Sequence, residues 1–394
     1  MPTFFEGVYI KSLYLYGLIN LSMKEYIAKT QFGLEDVLVK ELQDLGAEEV
    51  TKMSRAVGFK ADKETLYKIH LWSSVALRII EPVYAFTAQD TDELYKRLLE
   101  VDWSMIMDIE DTFKIDAVVF STIFTHSQFA GLRMKDAICD FWREEVGKRP
   151  NIDTRKPNFT FILNIWEDQV QVSIDLTGEP LFKRRYRTQT NDAPLNEVLA
   201  AGIIEMSNWD KKMPFVDAMC GSGTFVIEAL MKATNTAPSL LRKNYAFMFQ
   251  PDYDNKLWYK VLDEAKTLKQ NEYPNIKGIE IDGTMVSEAN ENFVRAGYKP
   301  LFHLEEGDFF KYKPKEKEGV LIMNPPYDMR IKSANINKFY KEMGDHLKNH
   351  YKGWTAYILS GNVEAYKKIG LKPTERIKLY NGKIECRLLK FELY

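Results

Sequence analysis

The chain has 394 residues, of which 45% are hydrophobic and 28% are charged, and its formal net charge is −2. This composition is typical of a globular protein and excludes a disordered or fibrous one, and the length predicts about two or three domains. The near-neutral net charge argues against a simple nucleic-acid coat protein.

The positions of the cysteines and the hydropathy of the chain indicate in which cellular compartment the protein is expected. Cys139, Cys220 and Cys386 lie far apart with no paired spacing, so the sequence predicts neither a disulfide framework nor a zinc or other metal site. No apolar run reaches the roughly 18 residues of a membrane-spanning helix. We therefore expect a protein of the reducing cytoplasm without a membrane segment.

The first 22 residues are expected to be an extension outside the fold. Their apolar stretch, Leu13 to Leu21, follows a single basic residue, Lys11, and no small-residue cleavage site comes after it, so a signal peptide is not predicted. The strand-like sequence Tyr26-Ile27-Ala28 comes shortly after Met23, which would make a suitable start of the folded chain.

Residues 23–177 have the pattern of an α+β region. Apolar residues at helical spacing predict helices at Gly33 to Leu45, Thr65 to Ile80, Asp90 to Leu99 and Ala130 to Val146. Pro82 is expected to end the second of these segments before a strand at Val83 to Phe86. Alternating residues predict further strands at Phe113 to Phe124, Phe159 to Trp166 and Gln169 to Leu176.

After a boundary near residues 178–194, the pattern changes at Pro214 to repeated units of buried strand, tight turn and helix. This repetition predicts an α/β fold with a doubly wound parallel sheet. The expected strands are Phe215 to Met219, Ile276 to Asp282, Leu301 to Leu304, Val320 to Asn324 and Thr355 to Ser360. Asn381-Gly382 separates two strand-like segments and is a strong hairpin signal, so the sheet should end with antiparallel strands.

A glycine-containing loop, Asp217 to Thr224, follows the first of these strands. Gly221 and Gly223 would let the backbone approach a ligand closely. A dinucleotide fingerprint needs a third Gly or Ala where the chain has Val226, and the chain has no Gly-Lys-Ser/Thr motif for a triphosphate. The loop suits a nucleoside with a compact polar tail, whose ammonium group Asp217 could hold. We interpret Cys220, inside the loop, as a small strand-end residue and not as a nucleophile.

Acidic residues follow the next two strands. Glu280 could accept hydrogen bonds from both ribose hydroxyls of such a nucleoside, and Asp282 either assists it or caps the following helix. Asp308 could accept from an adenine amino group while an adjacent aromatic ring covers the base. Each acid alone is more typical of a cap or turn, but their order along the chain favours a binding role.

Asn324-Pro325-Pro326-Tyr327 follows the fourth strand and suits the methylation of an exocyclic amino group on a nucleobase. The Asn324 side chain and the Pro325 backbone each offer a carbonyl that can accept one amino hydrogen, while the prolines remove N–H donors and stiffen the turn. Tyr327 offers a stacking face for an unpaired base. The alternative is a Pro-Pro turn that closes a strand, with an ordinary rim aromatic.

Two basic clusters are candidates for contacts with a phosphate backbone. They are Lys148-Arg149 with Arg155-Lys156, and Lys183-Arg184-Arg185 with Arg187. Either could be an ordinary solvated surface, but Phe182 and Tyr186 interleave with the second cluster and favour a nucleic-acid contact there.

Together these motifs resemble those of class I S-adenosylmethionine-dependent methyltransferases, in particular the branch that methylates amino groups. Further segments are similar to one family, the bacterial THUMP-domain methyltransferases that act on the exocyclic N2 of guanine in large-subunit (23S) ribosomal RNA. Those segments are Gln31-Phe32-Gly33-Leu34-Glu35, Lys135-Asp136-Ala137, Leu176-Thr177-Gly178-Glu179-Pro180-Leu181 and Ala193-Pro194-Leu195.

The resemblance implies an architecture and a set of site residues. A ferredoxin-like segment would span residues 23–65, a THUMP RNA-binding domain 66–177, and a seven-stranded Rossmann-like methyltransferase domain 178–394, with an insertion after Thr224 near the substrate cleft. The implied donor site consists of Asp217, Cys220, Gly221, Gly223, Glu280, Asp282, Asp308 and Asn324. The implied catalytic residues are Asn324, Pro325, Pro326 and Tyr327, and the RNA-binding residues are Arg133, Lys135, Lys183, Arg184, Arg185 and Arg187.

The partner implied by the resemblance is RNA, either 23S ribosomal RNA or an assembly intermediate. Other readings of the same residues stay open at this point. The target could be a guanine of transfer RNA or the N6 of adenine, the chain could be a non-catalytic RNA-binding assembly factor, or it could be a nucleotide-dependent oxidoreductase.

Overall fold

The computed structural model of the chain describes residues 23–187, 195–270, 272, 275–299, 303–327 and 333–394. The expectations for residues 1–22, for Ala193-Pro194 and for the start of a strand at Leu301 lie outside these residues. Within them the chain forms an eight-stranded and a seven-stranded sheet with helices packed on both. This arrangement confirms the predicted combination of an α+β half and an α/β half.

The eight-stranded sheet belongs to the N-terminal half. Its strands are β1 (Lys24–Lys29), β2 (Glu48–Met53), β3 (Ala56–Ala61), β4 (Arg78–Thr87), β5 (Thr112–Phe120), β6 (Asn151–Ile152), β7 (Phe159–Trp166) and β8 (Gln169–Asp175). Its helices are α1 (Glu35–Asp44), α2 (Lys63–Trp72), α3 (Thr91–Leu99) and α4 (Ser127–Val146). The strands lie in the order β2-β3-β1-β4-β8-β7-β5-β6. Because β4 pairs antiparallel with both β1 and β8, it joins the first part of the sheet to the second.

Helix α2 ends at Trp72, well before the end predicted at Ile80. The residue after it, Ser73, has an extended backbone, and its hydroxyl donates to a carboxylate oxygen of Glu41 at 2.5 Å. The N–H and hydroxyl of Ser74 donate to the other Glu41 oxygen at 2.6 and 2.7 Å. These bonds come from a helix distant in sequence, so the apolar periodicity of α2 could not reveal where it stops.

Strand β4 continues through Pro82, so the prediction that this proline separates a helix from a strand is wrong. The pairing of β4 with β8 shifts its register between Pro82 and Tyr84. A proline has no N–H to donate, and it is tolerated where a ladder of hydrogen bonds is interrupted in this way.

The seven-stranded sheet belongs to the C-terminal half. Its strands are β9 (Phe215–Asp217), β10 (Ile276–Glu280), β11 (Leu304–Glu306), β12 (Gly319–Met323), β13 (Trp354–Ser360), β14 (Glu375–Asn381) and β15 (Ile384–Glu392). Its helices are α5 (Glu197–Met206), α6 (Thr224–Ala233), α7 (Asn255–Leu268), α8 (Gly283–Arg295), α9 (Ser333–His350) and α10 (Val363–Tyr366). The strand order is β11-β10-β9-β12-β13-β15-β14, in which the first five are parallel.

The closing strands β14 and β15 form the predicted antiparallel hairpin. Its turn is Gly382-Lys383, one residue later than expected, because Asn381 pairs with Ile384. Gly382 has a φ of 61°, a backbone conformation that glycine adopts without strain.

Both faces of the parallel sheet are covered, as such sheets require. Val216 and Leu321 face one buried cluster, whereas their chain neighbours Phe215 and Ile322 face another. This second cluster is continuous with the core of the N-terminal half. The two halves of the protein therefore share buried packing.

The insertion between α6 and β10 contributes to this shared packing. Phe247 stacks on Tyr67 with ring centroids 4.8 Å apart, Trp258 meets the same ring edge-on at 5.7 Å, and His70 contacts Tyr245. The insertion begins after α6 has left the carboxyl edge of the sheet. Its expected position near the substrate cleft stays a prediction.

Arg184 in the linker between the sheets is buried, so its predicted contact with RNA is wrong, whereas Arg187 is only partly buried and its predicted contact stays a prediction. Arg184 is 1% exposed, and its guanidinium lies 3.5 Å from the Glu228 carboxylate. The Arg187 side chain is 10% exposed, pairs with Glu197 at 3.3 Å and donates to the Thr224 hydroxyl. A buried charge needs such a partner, and these pairs attach the linker to α5 and α6.

His70 lies in the packing between the N-terminal half and the insertion, and we expect it to make the folded protein less stable in mild acid. Burial lowers the pKa of His70 from 6.5 to about 3, so between these values the unfolded state binds a proton that the folded state does not. The stability that the folded protein gains from keeping His70 neutral is present above pH 6.5 and is lost as the pH falls toward 3. The loss should reach about 2 kcal/mol between pH 7 and pH 5.

The measurement is the free energy of unfolding in urea, followed by tryptophan fluorescence, for the wild type and for His70→Gln. All other titrating groups are common to both proteins, so the difference between their pH profiles isolates His70. Parallel profiles would show that the pKa of His70 is the same in the folded and unfolded states, and would contradict the prediction.

Candidate active site

The carboxyl ends of β9, β10 and β12 meet at one edge of the parallel sheet. Asp217 on β9 is level with Gly278 on β10 and with Ile322 on β12. Glu280 and Asn324 lie two residues further along these neighbouring strands. The pairing therefore brings three polar residues, each singled out in the sequence, to the same edge.

The loop between β9 and α6 is tied to the end of β10. The Gly221 N–H donates to one carboxylate oxygen of Glu280 at 2.8 Å, and the Asp282 N–H donates to the other at 3.0 Å. Gly221 and Gly223 have φ angles of 51° and 83°, which L side chains rarely adopt. A Cβ on Gly223 would also lie 3.1 Å from the Phe293 ring. Both backbone and packing therefore require glycine at the start of α6.

Asp217 is a buried carboxyl group, 1% exposed. Its Oδ1 accepts from the Met219 N–H at 3.3 Å, and within the described ranges no basic side chain forms an ion pair with it. Burial raises the pKa of Asp217 well above its ordinary value, and the nearby Glu280 carboxylate adds to the rise. A cationic ligand would offset this unfavourable burial, as expected of a carboxylate that binds an ammonium group.

Cys220 is part of the loop and is buried. Its N–H donates to the Ile279 carbonyl at 3.0 Å, and its Sγ would lie 3.0 Å from a Cβ placed on Gly278. Burial raises the pKa of the thiol well above its ordinary value, so the thiol is neutral. These contacts agree with the interpretation of Cys220 as a small strand-end residue that packs against β10.

The two remaining acids differ in their surroundings. Asp282 is exposed and caps α8, since its side chain accepts from the Thr284 N–H at 2.8 Å. Asp308 lies beside the end of β10, because the neighbouring Gly307 N–H donates to the Glu280 carbonyl at 2.9 Å. Two roles were considered for Asp282, and the one seen in the structure is the helix cap.

Asn324-Pro325-Pro326-Tyr327 starts directly after β12 at the same edge of the sheet. The Tyr327 hydroxyl donates to Asn324 Oδ1 at 2.5 Å, and the ring packs against Gly361. Burial raises the pKa of the Tyr327 hydroxyl far above its ordinary value, so this group keeps its proton and acts as a donor. Pro325 is buried and Pro326 is half-buried.

The other predicted RNA-binding residues lie outside this edge. Arg133 and Lys135 are on α4 in the N-terminal half, and Lys183 and Arg185 are in the linker. Each pairs with a nearby acidic side chain, and all four are partly solvent-exposed. The structure does not bring them together with the polar residues at the strand ends.

Two residues support the loop in a way that the sequence did not predict. Arg187 reaches the Thr224 hydroxyl from the linker, and Asn292 on α8 donates to the Ser222 carbonyl at 3.1 Å. Both belong to segments distant from the loop, so no local motif marks them. The available signal was an asparagine, Asn292, within the buried apolar face of an amphipathic helix.

Family models match three consecutive segments of the chain. A model described as an RlmL ferredoxin-like domain matches residues 25–80, a THUMP domain model matches residues 88–175, and a model described as an RMKL-like methyltransferase domain matches residues 184–390. The predicted presence of ferredoxin-like, THUMP and Rossmann-like methyltransferase parts is thereby confirmed.

Similar proteins carry related names. A candidate RNA methyltransferase of Synechocystis sp. is 34% identical over 377 residues, which is 95% of this chain and 98% of that protein. The ribosomal RNA large subunit methyltransferase K/L of Syntrophotalea carbinolica is 36% identical over 381 residues, which is 94% of this chain and 53% of that protein. The chain therefore spans about half the length of this large-subunit relative.

A solved structure is similar over nearly the whole chain. It is the crystal structure of SMU.472, a candidate methyltransferase in complex with S-adenosylhomocysteine (SAH). The TM-score is 0.86 and the identity is 32%, and the match covers 95% of this chain and 99% of that one.

Asp217→Asn is expected to weaken ligand binding and, at the same time, to stabilise the ligand-free protein. Asparagine keeps the shape of the side chain and removes its charge, so the unfavourable burial disappears together with the attraction for a cation. We expect the affinity for SAH to fall about 10- to 100-fold and the ligand-free protein to become more stable at pH 8. Titration calorimetry and thermal denaturation measure the two effects.

The pH dependence of this effect has a definite sign. The folded-state pKa of Asp217 is raised, so the stability that the wild type has at low pH is lost as the pH rises through that pKa. The stability gained by the variant should therefore shrink from pH 8 to pH 6. Asp90→Asn, at the cap of α3, is a matched control for which neither change is expected. Wild-type affinity in Asp217→Asn would contradict the assignment.

Proposed function

Because the chain belongs to the RMKL-like methyltransferase family and S-adenosylmethionine is its methyl donor, we propose that it methylates the exocyclic N2 of a guanine in 23S ribosomal RNA. The observation that carries the proposal is the position of Asn324-Pro325-Pro326-Tyr327. These residues follow the strand beside β9, next to the loop and acids of the donor site. The name of the large-subunit relative and the THUMP match support ribosomal RNA as the target.

The residues at the strand ends fit the donor. Asp217, buried without a basic partner in the described ranges, would hold the donor's ammonium group. Glu280 would accept from the ribose hydroxyls while it keeps its bond to the Gly221 N–H. Asp308 would accept from the adenine amino group. When bound, the donor supplies an electrophilic methyl carbon.

The protein would act on the base mainly by positioning it. Asn324 Oδ1 and the Pro325 carbonyl would each accept one hydrogen of the guanine amino group, which leaves the nitrogen lone pair directed at the methyl carbon. Tyr327 would stack on the base. The nitrogen would form its bond to the methyl carbon as the donor's carbon–sulfur bond breaks, and the extra proton on nitrogen would leave to water. This reaction requires neither a strong general base nor a covalent enzyme intermediate.

The N-terminal half would provide the RNA contact. Residues 88–175 match the THUMP domain, and the half-exposed Lys183 and Arg185 in the linker are suited to the phosphate backbone. Within the described part of the chain no helix is long and apolar enough to cross a membrane. We place the reaction in the cytoplasm because the proposed substrate is ribosomal RNA.

Asn324→Ala is expected to reduce methyl transfer by about 100-fold or more, since it removes an acceptor aligned with the reacting amino group. The affinity for SAH should stay within about twofold of the wild type, because the donor-binding loop and Glu280 are unchanged. Single-turnover methylation and calorimetric titration test the two statements. Asn255→Ala, at the exposed start of α7, is the control and should leave both quantities unchanged. Near-normal turnover in Asn324→Ala would show that the pocket is elsewhere.

The target is tested by mass spectrometry of nucleosides from 23S ribosomal RNA and transfer RNA of a strain that lacks the protein. We expect one N2-methylguanosine to be absent from 23S RNA and to return with the wild-type gene but not with the Asn324→Ala gene. Unchanged 23S RNA together with a loss in transfer RNA would replace the proposed target.

A further inference from the structure

The turn at Tyr327 is held by residues from two other segments. Asn362, in the loop after β13, donates its side-chain N–H to the Tyr327 carbonyl at 2.9 Å. The Tyr327 ring lies against Gly361, where a Cβ would be 3.0 Å from Cδ2. Cys386 on β15 has its Sγ 3.7 Å from the Tyr327 hydroxyl. Strand β13 and the closing hairpin thus both support the turn that follows β12.

The orientation of the Asn362 carboxamide is set from its other end. Its Oδ1 accepts from the Ala365 N–H at 2.9 Å and caps α10. Because the cap requires the oxygen of the amide, the nitrogen, which can only donate, is directed to the Tyr327 carbonyl. The Asn362 N–H donates to the buried Ser360 hydroxyl at 3.2 Å, which holds the backbone of Asn362 as well.

The support at Tyr327 continues to Asn324. The position of the Tyr327 backbone determines where its hydroxyl reaches, and this hydroxyl donates to Asn324 Oδ1. That bond fixes the side of the Asn324 carboxamide on which the oxygen lies. A carbonyl oxygen has two lone pairs, so one remains for an amino hydrogen of the target base.

We propose that Asn362 is a positioning residue for methyl transfer. It holds the Tyr327 backbone so that the Tyr327 hydroxyl keeps the Asn324 oxygen directed at the target amino group. The proposal rests on the function proposed above and assigns Asn362 no contact with the base. Its loss should therefore lower the rate of transfer and leave the affinity for the donor unchanged. A role in capping α10 alone would appear as lost stability without a specific loss of rate.

Asn362→Asp separates these roles. Aspartate keeps the capping oxygen and is an equally good N-cap residue, but it places an oxygen where the N–H faced the Tyr327 carbonyl. We expect kcat on 23S RNA isolated from a strain lacking the protein to fall about 10- to 100-fold. The dissociation constant for SAH and the thermal midpoint should match the wild type. Asp254→Asn is the reverse exchange at the cap of α7 and should change none of these quantities.

Tyr327→Phe tests whether Asn362 acts through the hydroxyl. Phenylalanine keeps the ring and removes the donor to Asn324, so adding Asn362→Asp in this background should change kcat by less than about twofold. If the two substitutions lower kcat independently, so that their effects on kcat multiply in the double variant, the proposal is overturned. An unchanged kcat in the single Asn362→Asp variant would also overturn it, as would a loss of kcat matched by a lower thermal midpoint.

Hydrogen–deuterium exchange gives a readout that does not depend on the RNA target. The amides of Asn324 and Tyr327 should exchange about tenfold faster in Asn362→Asp than in the wild type or in Asp254→Asn. Equal exchange in all three proteins would overturn the positioning role whatever the substrate is. If the wild type fails to methylate guanine N2 in this RNA, only the proposed function is contradicted, and faster exchange in the variant still supports the positioning role.

Discussion

The parallel pairing of β9 with β10 and β12 is the constraint on which the site depends. Side chains of a strand alternate between faces, so a slip of one residue in either pairing would move Glu280 or Asn324 away from Asp217. Gly278 secures the closest part of this arrangement. A Cβ there would lie 2.9 Å from Val226 and 3.0 Å from the Cys220 sulfur, so its absence lets the loop and α6 approach β10.

Ion pairs between buried charges also hold the linker in place beside the site. Arg184 and Arg187 each reach a glutamate of α5 or α6, so the chain segment that leaves the N-terminal half is bonded to the helices beside the loop. Burial raises the pKa of Glu228 to about 7, while the Arg184 guanidinium opposes the rise. The pairs compensate for buried charge more than they add stability, and their main effect is to fix geometry between the two halves.

Sequence reasoning succeeded where the signal is local. Asp217, Glu280 and Asn324 could be placed at strand ends because a buried strand and the turn after it are contiguous in the chain. It failed where a distant segment decides the outcome. The buried position of Arg184 depends on a glutamate more than forty residues away, and the contact of Asn362 with the Tyr327 turn depends on the pairing of β12 with β13. Neither relation leaves a spacing that a single sequence can reveal.

Strand β4 has a consequence for how the protein can be divided. Its first residues pair with β1 and almost its whole length pairs with β8, so the ferredoxin-like and THUMP segments share one hydrogen-bonded ladder. Cutting the chain on either side of β4 would leave a long row of unpaired N–H and C=O groups on the separated piece. Such an exposed edge recruits other chains and leads to aggregation. The two segments are therefore a single structural unit that should be expressed together, even though each has its own family model.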